Sequence, residues 1–470
     1  MTPEEKKRRH RNERIAATIL VLALAGSTIW MTRHRKALDE QVRRDRMYIP
    51  KNIEFSPELE MLQQYLKFDT SNPPGNELPA ARWLASQLEK AGVRAEIIES
   101  APRRANVYAR LKGKRSGEGL LLLHHIDVVP ATNEGWKRPP FAAEIHFNEL
   151  YGRGALDMKA TGICFLRAFL DVARSGRPPE NDIIFLAVAD EEAGSDLGMK
   201  WLVEHRPDIL SGVRFALNEG GITEMTSEKM TYFGIEIGTK QTVSLTLEGS
   251  TRSNLQRARI ALEPWFISRS PSRIVPEVKA WMRDLAPQRI AYREHLEDVD
   301  RAVARGKFWS LPIGYREMTQ SGLWAEAITP KGAGFEMRTL LLNLPDEDPD
   351  RRIEWLSRRV APYGVRIGRI LRKEGPMPLS STNTLFYKRL VAEASRTYSA
   401  PAGSEILNRW QNDSRFLRKR GIDSYGINPF PVDYFQSETI HAANERIRTD
   451  YFNRGVGFTV RIVTGYASSE

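Results

Sequence analysis

His125 and Asp127 stand two residues apart at the end of the leucine run 120–123. Side chains alternate along a strand, so positions i and i+2 point the same way. An imidazole beside a carboxylate suits metal binding, because a ligating histidine commonly gives its other ring N–H to an acid. The same pair also fits a core histidine satisfied by a neighbouring acid. Further chemistry-bearing residues follow along the chain. Asp157 comes just after the turn signal Gly152-Arg153-Gly154 and before the amphipathic stretch 158–173. Asp190-Glu191-Glu192 end the apolar run 183–189; three adjacent acids there are costly unless solvated or balanced by cations. Asn218-Glu219 end another apolar run, and His441 lies near the C-terminus. Histidine with carboxylate suits a borderline divalent ion such as zinc. The acids are too many for one tetrahedral structural site. Their number fits two ions sharing a bridging carboxylate, with one acid left over as a base.

Strands alternating with helical patterns must position these groups. That arrangement predicts an α/β fold with a mostly parallel, helix-covered sheet. In such open sheets, sites assemble at the carboxyl ends of strands. A length of 470 residues favours more than one domain.

The strings HHIDVVP, WKRPPF, YGRGALDMK, ADEEAGS, NEGG and IHAANERI occur in this order from His124 to Ile447. Together they resemble the zinc peptidase family that includes aminoacylase, carboxypeptidase S and succinyl-diaminopimelate desuccinylase. The resemblance spans about residues 55–470 and is strongest over 120–221. It implies two zinc ions, for which cobalt or manganese could substitute. His125 resembles the ligand of one ion, with Asp127 as its supporting partner. Asp157 resembles the bridging carboxylate, Glu191 the general base, Glu192 a ligand, and His441 the ligand of the second ion. The remaining ligand falls at Asn218-Glu219: alignment favours the Asn218 carbonyl oxygen, side-chain chemistry favours Glu219, and both stay open. The implied reaction is amide or peptide hydrolysis in small N-acyl amino acids or short peptides with a free carboxylate. Glu191 would take the proton of the attacking water. The alternative is a membrane-tethered relative that binds such ligands with weak or lost turnover.

The resemblance also implies a lid or dimerisation domain of α+β type, inserted at 241–371 into a catalytic domain of 51–240 and 372–470. A homodimer is therefore open. The lid reads as strand, helix, helix, strand, helix, with a helix over 255–266, a strand over 334–342 and a last helix over 351–360. One departure stands out. The segment GSTRSNLQ (249–256), which follows the strand 242–248, has no histidine where relatives carry one. Arg252 offers positive charge in its place. The later loop 329–337 lacks the asparagine that often contacts substrate.

Residues 1–50 read as a tail. Within it, 15–31 is an uncharged, mostly apolar run flanked by basic residues, at the short limit for a membrane span. We expect an uncleaved anchor, with the catalytic domain on the periplasmic or extracellular side. Twelve Lys/Arg against six Asp/Glu in residues 1–46 supply +6 of the net charge of +11. The basic balance is thus partly a feature of the tail and gives no argument for nucleic acid; no basic helix or aromatic–glycine pattern adds one. The single cysteine, Cys164, excludes an intramolecular disulfide and any Cys-rich zinc site; its apolar neighbours predict a buried thiol. His124 reads as a pocket wall and His146 as surface. Trp136 and Pro139-Pro140-Phe141 read as shaping a loop behind the metals. Asp413 and Arg415 fit substrate contact and an exposed helix start equally well.

Overall fold

The computed structural model describes residues 55–132, 134–226, 228–266, 274–407 and 411–468. The apolar run 15–31 lies outside them. No helix among the described residues is long and apolar enough to cross a membrane.

Sixteen strands are numbered here in chain order, among the described residues. The main sheet contains β1 (Ala95–Ala101), β2 (Arg104–Leu111), β3 (Arg115–His125), β6 (Asn181–Val188), β7 (Val213–Asn218), β9 (Lys229–Thr239), β14 (Ala402–Leu407) and β15 (Asp423–Gly426). They run in the order β1-β2-β6-β3-β7-β15-β9-β14, and β8 (Thr223–Thr226) pairs with β9. The centre, β6-β3-β7-β15, is parallel, while β1, β2 and β8 pair antiparallel. The sheet is therefore mixed α/β with a mostly parallel centre, as predicted.

The leucine run in β3 explains its central place, since a strand covered on both faces reads as continuously apolar. Leu120 and Leu122 join the core on one face with the helices Lys159–Arg174 and Thr449–Ser468. Leu121 and Leu123 join the core on the other face with Met199, Leu202 and Leu417. His124 follows the even positions into the first core. Its ring lies 5.3 Å from that of Phe185 and packs against Gly162, where a Cβ would meet His124 Cδ2 at 2.4 Å. His124 is thus a core residue, not the pocket wall its neighbour suggested. Cys164 is fully buried in the helix Lys159–Arg174, as expected.

A second sheet, β11 (Gly322–Lys331), β12 (Gly334–Asn343), β10 (Gln241–Gly249) and β13 (Val365–Lys373), pairs antiparallel in that order. The helices Arg252–Phe266 and Pro349–Val360 cover it and share its separate core, which includes Leu245, Leu255, Leu341 and Leu356. The segment 329–337, read as a loop, is a hairpin in which Lys331 pairs with Gly334. Residues 274–318 do not join this core. Val278, Trp281, Met282 and Met318 pack into the core of the main sheet. Tyr315 Oη donates to Glu224 of β8 at 2.7 and 2.8 Å. Within 241–371, then, the sheet and its two helices form one body and the intervening helices pack on the main sheet. A small sheet of β4 (Ile145–His146), β5 (Glu149–Tyr151) and β16 (Arg446–Arg448) brings the C-terminal NERI string beside the Asp157 loop.

Candidate metal centre

β3, β6 and β7 end on the same edge of the sheet because they are parallel. β3 delivers His125. Beyond β6 the chain turns at Asp190, whose backbone is left-handed (φ 68°). The short turn Glu191–Ala193 then presents two carboxylates. Glu219 follows β7 directly. Asp157 precedes the helix Lys159–Arg174, and His441 (φ 60°) comes from the loop before β16.

Asp157 lies at the middle. Its Oδ1 is 3.0 Å from His125 Nε2, and its Oδ2 is 3.0 Å from His441 Nε2. Glu219 Oε2 is 3.6 Å from His125 Nε2, while Glu192 Oε2 is 3.2 Å from His441 Nε2. Two overlapping sets, His125–Asp157–Glu192 and His125–Glu191–Glu219, each offer donor atoms within 4.8 Å of one another. Asn218 stands apart. Its Nδ2 donates to Ser414 Oγ at 3.1 Å, and its backbone carbonyl accepts from Ile427 N–H at 2.9 Å. The last residue of β7 thus faces the helix Ser414–Arg418, and the next residue faces the histidine.

The electrostatics carry an excess of half-buried negative charge. Burial lowers the affinity of His125 for a proton, but Glu219 and Asp157 outweigh it and hold the pKa well above the usual histidine value. Burial acts the same way on His441, and Asp157 with Glu192 overrides it, giving about 10. Burial would raise Asp157, yet the two imidazoles hold it well below the usual carboxylate range. Glu219 rises to about 8 through burial and the Asp157 charge. Glu191 rises well above its ordinary value through burial and the nearby Glu219. Glu192 Oε1 is buried without a hydrogen-bond partner. Two imidazoles cannot balance four carboxylates, so the donor set fits divalent cations.

A second layer holds these groups. The expected His125–Asp127 pairing takes a different form. His125 Nδ1–H donates to the Asp127 backbone carbonyl at 2.9 Å, and the Asp127 carboxylate is 3.7 Å away. β3 ends at His125, so strand alternation no longer governs Asp127. Its carboxylate instead accepts the backbone N–H groups of Glu191 (3.1 Å) and Glu192 (3.2 Å) and the Asn72 amide (2.9 Å). Asn72 also donates to Asp190 at 2.9 Å, and Arg104 joins Asp190 (2.7 Å) to Glu77 (2.8 Å). Behind Asp157, the buried Glu445 carboxylate accepts from Arg153 Nη1 (2.6 Å) and from the N–H groups of Gly154, Leu156 and Asp157. Gly154 has φ +85° and no room for a Cβ, which would meet Val128 at 2.7 Å. Arg153 lies over Trp136 at 5.4 Å, which ties the loop of Trp136 to this layer.

Asp413 and Arg415 are not an exposed helix start. Both are buried, Ser195 Oγ donates to Asp413, and Arg415 Nη1 is 4.0 Å from Glu191 Oε1. Neither Glu445 nor Asn72 was assigned a role from the sequence. Of these, only Glu445 carried a signal, its place in the NERI string.

A family model described as Peptidase family M20/M25/M40 matches residues 121–465. Rat aminoacylase-1A is 26% identical over 432 residues, covering 88% of this chain and 96% of the relative. The metallo-carboxypeptidase Sso-CP2 of Sulfolobus solfataricus superposes with a TM-score of 0.67 at 18% identity, over 88% of this chain and all of that one. Human carnosine dipeptidase 1 does so with a TM-score of 0.66 at 14% identity, over 87% and 96% of the two chains.

Proposed function

Since the chain belongs to peptidase family M20/M25/M40, we propose that it is a two-zinc amidohydrolase or exopeptidase acting on small N-acyl amino acids or short peptides with a free carboxylate. The observation that carries this reading is Asp157 standing between His125 and His441, 3.0 Å from each. His125 and Glu219 would hold one ion, Glu192 and His441 the other, and Asp157 both. Nitrogen and oxygen donors of this kind suit zinc, and also cobalt or manganese. Bound zinc supplies Lewis acidity that lowers the pKa of water and polarises an amide carbonyl.

The protein's own residues do the rest. Glu191 is not needed as a ligand in this assignment. Burial and the Glu219 charge raise its proton affinity, which suits a base that takes a proton from the attacking water. The same carboxyl then returns the proton to the leaving amine nitrogen. Asp127 keeps Glu191 and Glu192 in register by holding both backbone N–H groups. His125 keeps Nε2 free as a donor atom because Nδ1–H is spent on a carbonyl.

A panel of N-acetyl amino acids and dipeptides, assayed on the zinc-loaded full chain, tests this reading, with Glu191→Ala as control. Turnover by the wild type that Glu191→Ala abolishes supports it. Equal rates for both across the panel refute it. The alternative of a membrane-tethered binder with little turnover finds no support in the relatives.

A further inference from the structure

The main chain crosses to the second sheet at β10 and returns from β13, and both crossings meet at one buried carboxylate. Glu374 follows β13 directly. Its backbone N–H donates to Thr242 O at 3.1 Å, and its Oε2 accepts Thr242 N–H at 3.1 Å and the Gln411 side-chain amide. Glu374 Oε1 faces two guanidinium groups, Arg372 Nη2 at 2.7 Å and Arg415 Nε at 3.6 Å. Both guanidinium groups reach the Glu191–Gly194 turn. A Cβ on Gly194 would lie 3.6 Å from Arg372 Nη1. Arg415 Nη2 donates to Gly194 O and Ser195 Oγ at 3.4 Å, and Nη1 lies 4.0 Å from Glu191 Oε1. Arg415 is 1% exposed and its Nε makes no hydrogen bond. Such a side chain is costly to bury unless the charges around it are in place.

We propose that Arg415 is a positioning residue for Glu191, and that Glu374 sets where Arg415 stands, so that the position of the second sheet is coupled to the base. The role in catalysis rests on the hydrolase reading above; the mechanical tie does not. The Glu374 carboxylate is fixed by Thr242 and Arg372, which belong to the first and last strands of that sheet. A movement of the sheet about residues 240–242 and 373–374 moves this carboxylate. Arg415 follows it, and the Glu191–Gly194 turn follows Arg415. Misplacing a reacting group by about 1 Å can cost about 10²-fold in rate, so a small shift at Glu374 is enough to matter.

The test compares wild type, Glu374→Gln, Arg415→Lys and Arg415→Ala as full-length chains. Hydrogen exchange of peptides covering residues 190–195 reads the tie directly, and the helix Thr449–Ser468 serves as the internal control. The expected result for Glu374→Gln, which keeps the side-chain shape, is faster exchange at 190–195 with the control unchanged. On zinc-loaded protein and the N-acetyl amino acid panel, kcat should fall about 10–10²-fold with KM within about two-fold. Arg415→Lys should recover part of what Arg415→Ala loses. Unchanged exchange at 190–195 in Glu374→Gln, or equal acceleration in the control helix, overturns the proposal. So does a rate loss carried by KM alone. If the wild type turns over nothing on the panel, the hydrolase reading falls, and the exchange result still decides the tie.

Discussion

Glu445 and Asp157 are 288 residues apart, yet the Glu445 carboxylate accepts the Asp157 backbone N–H at 3.1 Å. The same carboxylate takes the Leu156 N–H at 2.8 Å, the Gly154 N–H at 3.0 Å and the Arg153 guanidinium at 2.6 Å. One acid from the C-terminal segment thus shapes the whole loop that carries the central carboxylate. It is fully buried, and burial raises its proton affinity against the pull of Arg153 and the N–H groups of Leu156 and Gly154.

Truncating Glu445 leaves Arg153 buried and unpaired. Glu445→Ala should therefore destabilise the protein by about 3–5 kcal/mol, the usual cost of breaking a buried pair. Glu445→Gln, with an amide N–H facing N–H donors, should cost about 1–3 kcal/mol. Urea unfolding of the two variants measures both. A change below about 0.5 kcal/mol in Glu445→Ala, the range of ordinary surface substitutions, would show that the loop holds itself.

Asp127 supports the centre from the other side. Replacing it with alanine frees the N–H groups of Glu191 and Glu192 and removes an acceptor of Asn72. Groups of this supporting layer typically set metal affinity by about 10–10²-fold. Asp127→Ala should lose zinc affinity by that factor, and competition with a chromophoric chelator reads it. Affinity equal to wild type would mean that Glu192 needs no support from Asp127.

The residues that could touch a cation were legible because their types are unusual where they stand. Acids and histidines at the ends of apolar runs have few reasons to be there. The layer behind them was legible only in part, through Asp127 and the NERI string. Glu374 and Arg415 are ordinary types in polar stretches, and only the crossing of the chain between two sheets brings them together. His124 was decidable in principle, since it alternates with His125 along β3. Amphipathic spacing in residues 274–318 marks a buried face but not its partner, so the packing of these helices on the main sheet could not be read from the sequence. Residues 329–337 were read as a loop because the pairing of Lys331 with Gly334 leaves little pattern to see.

Glu405 makes stability depend on pH. It is 1% exposed, its Oε1 accepts Ile222 N–H at 2.6 Å, and its Oε2 has no hydrogen-bond partner. Burial, and less strongly the nearby Glu236, raise its pKa to about 8. The folded protein holds this proton where the unfolded chain has lost it. Its contribution to stability is complete below the unfolded value of about 4.3 and is lost as pH rises through about 8. Glu405→Gln should flatten this part of the profile and be the more stable form at pH 9. Unfolding free energies at pH 6 and pH 9 for both proteins check this. Parallel profiles would remove Glu405 as the cause.

Asn218 and Glu219 separate two ligand assignments that the sequence leaves open. Glu219 Oε2 faces His125 Nε2 at 3.6 Å, whereas the Asn218 side-chain N–H donates to Ser414 and its backbone carbonyl accepts from Ile427. Neutral amide oxygen is also the weaker donor for zinc. Glu219→Ala should therefore lose one of two zinc equivalents, with the ion at Glu192 and His441 retained. Asn218→Ala should keep both. It removes the bond to Ser414 and leaves a buried hydroxyl with one partner fewer, at a cost of about 1 kcal/mol. Metal analysis after dialysis against a limiting chelator distinguishes the two variants, and thermal unfolding with and without added zinc gives an independent reading. Binding stabilises the folded state in proportion to ln(1 + [L]/Kd), so the gain in Tm on adding zinc should shrink in Glu219→Ala and persist in Asn218→Ala. The reverse pattern would return the ligand role to Asn218. Glu219 would then stay as a half-buried acid beside His125 without a metal, and its removal should relax the crowding of like charge that raises Glu191.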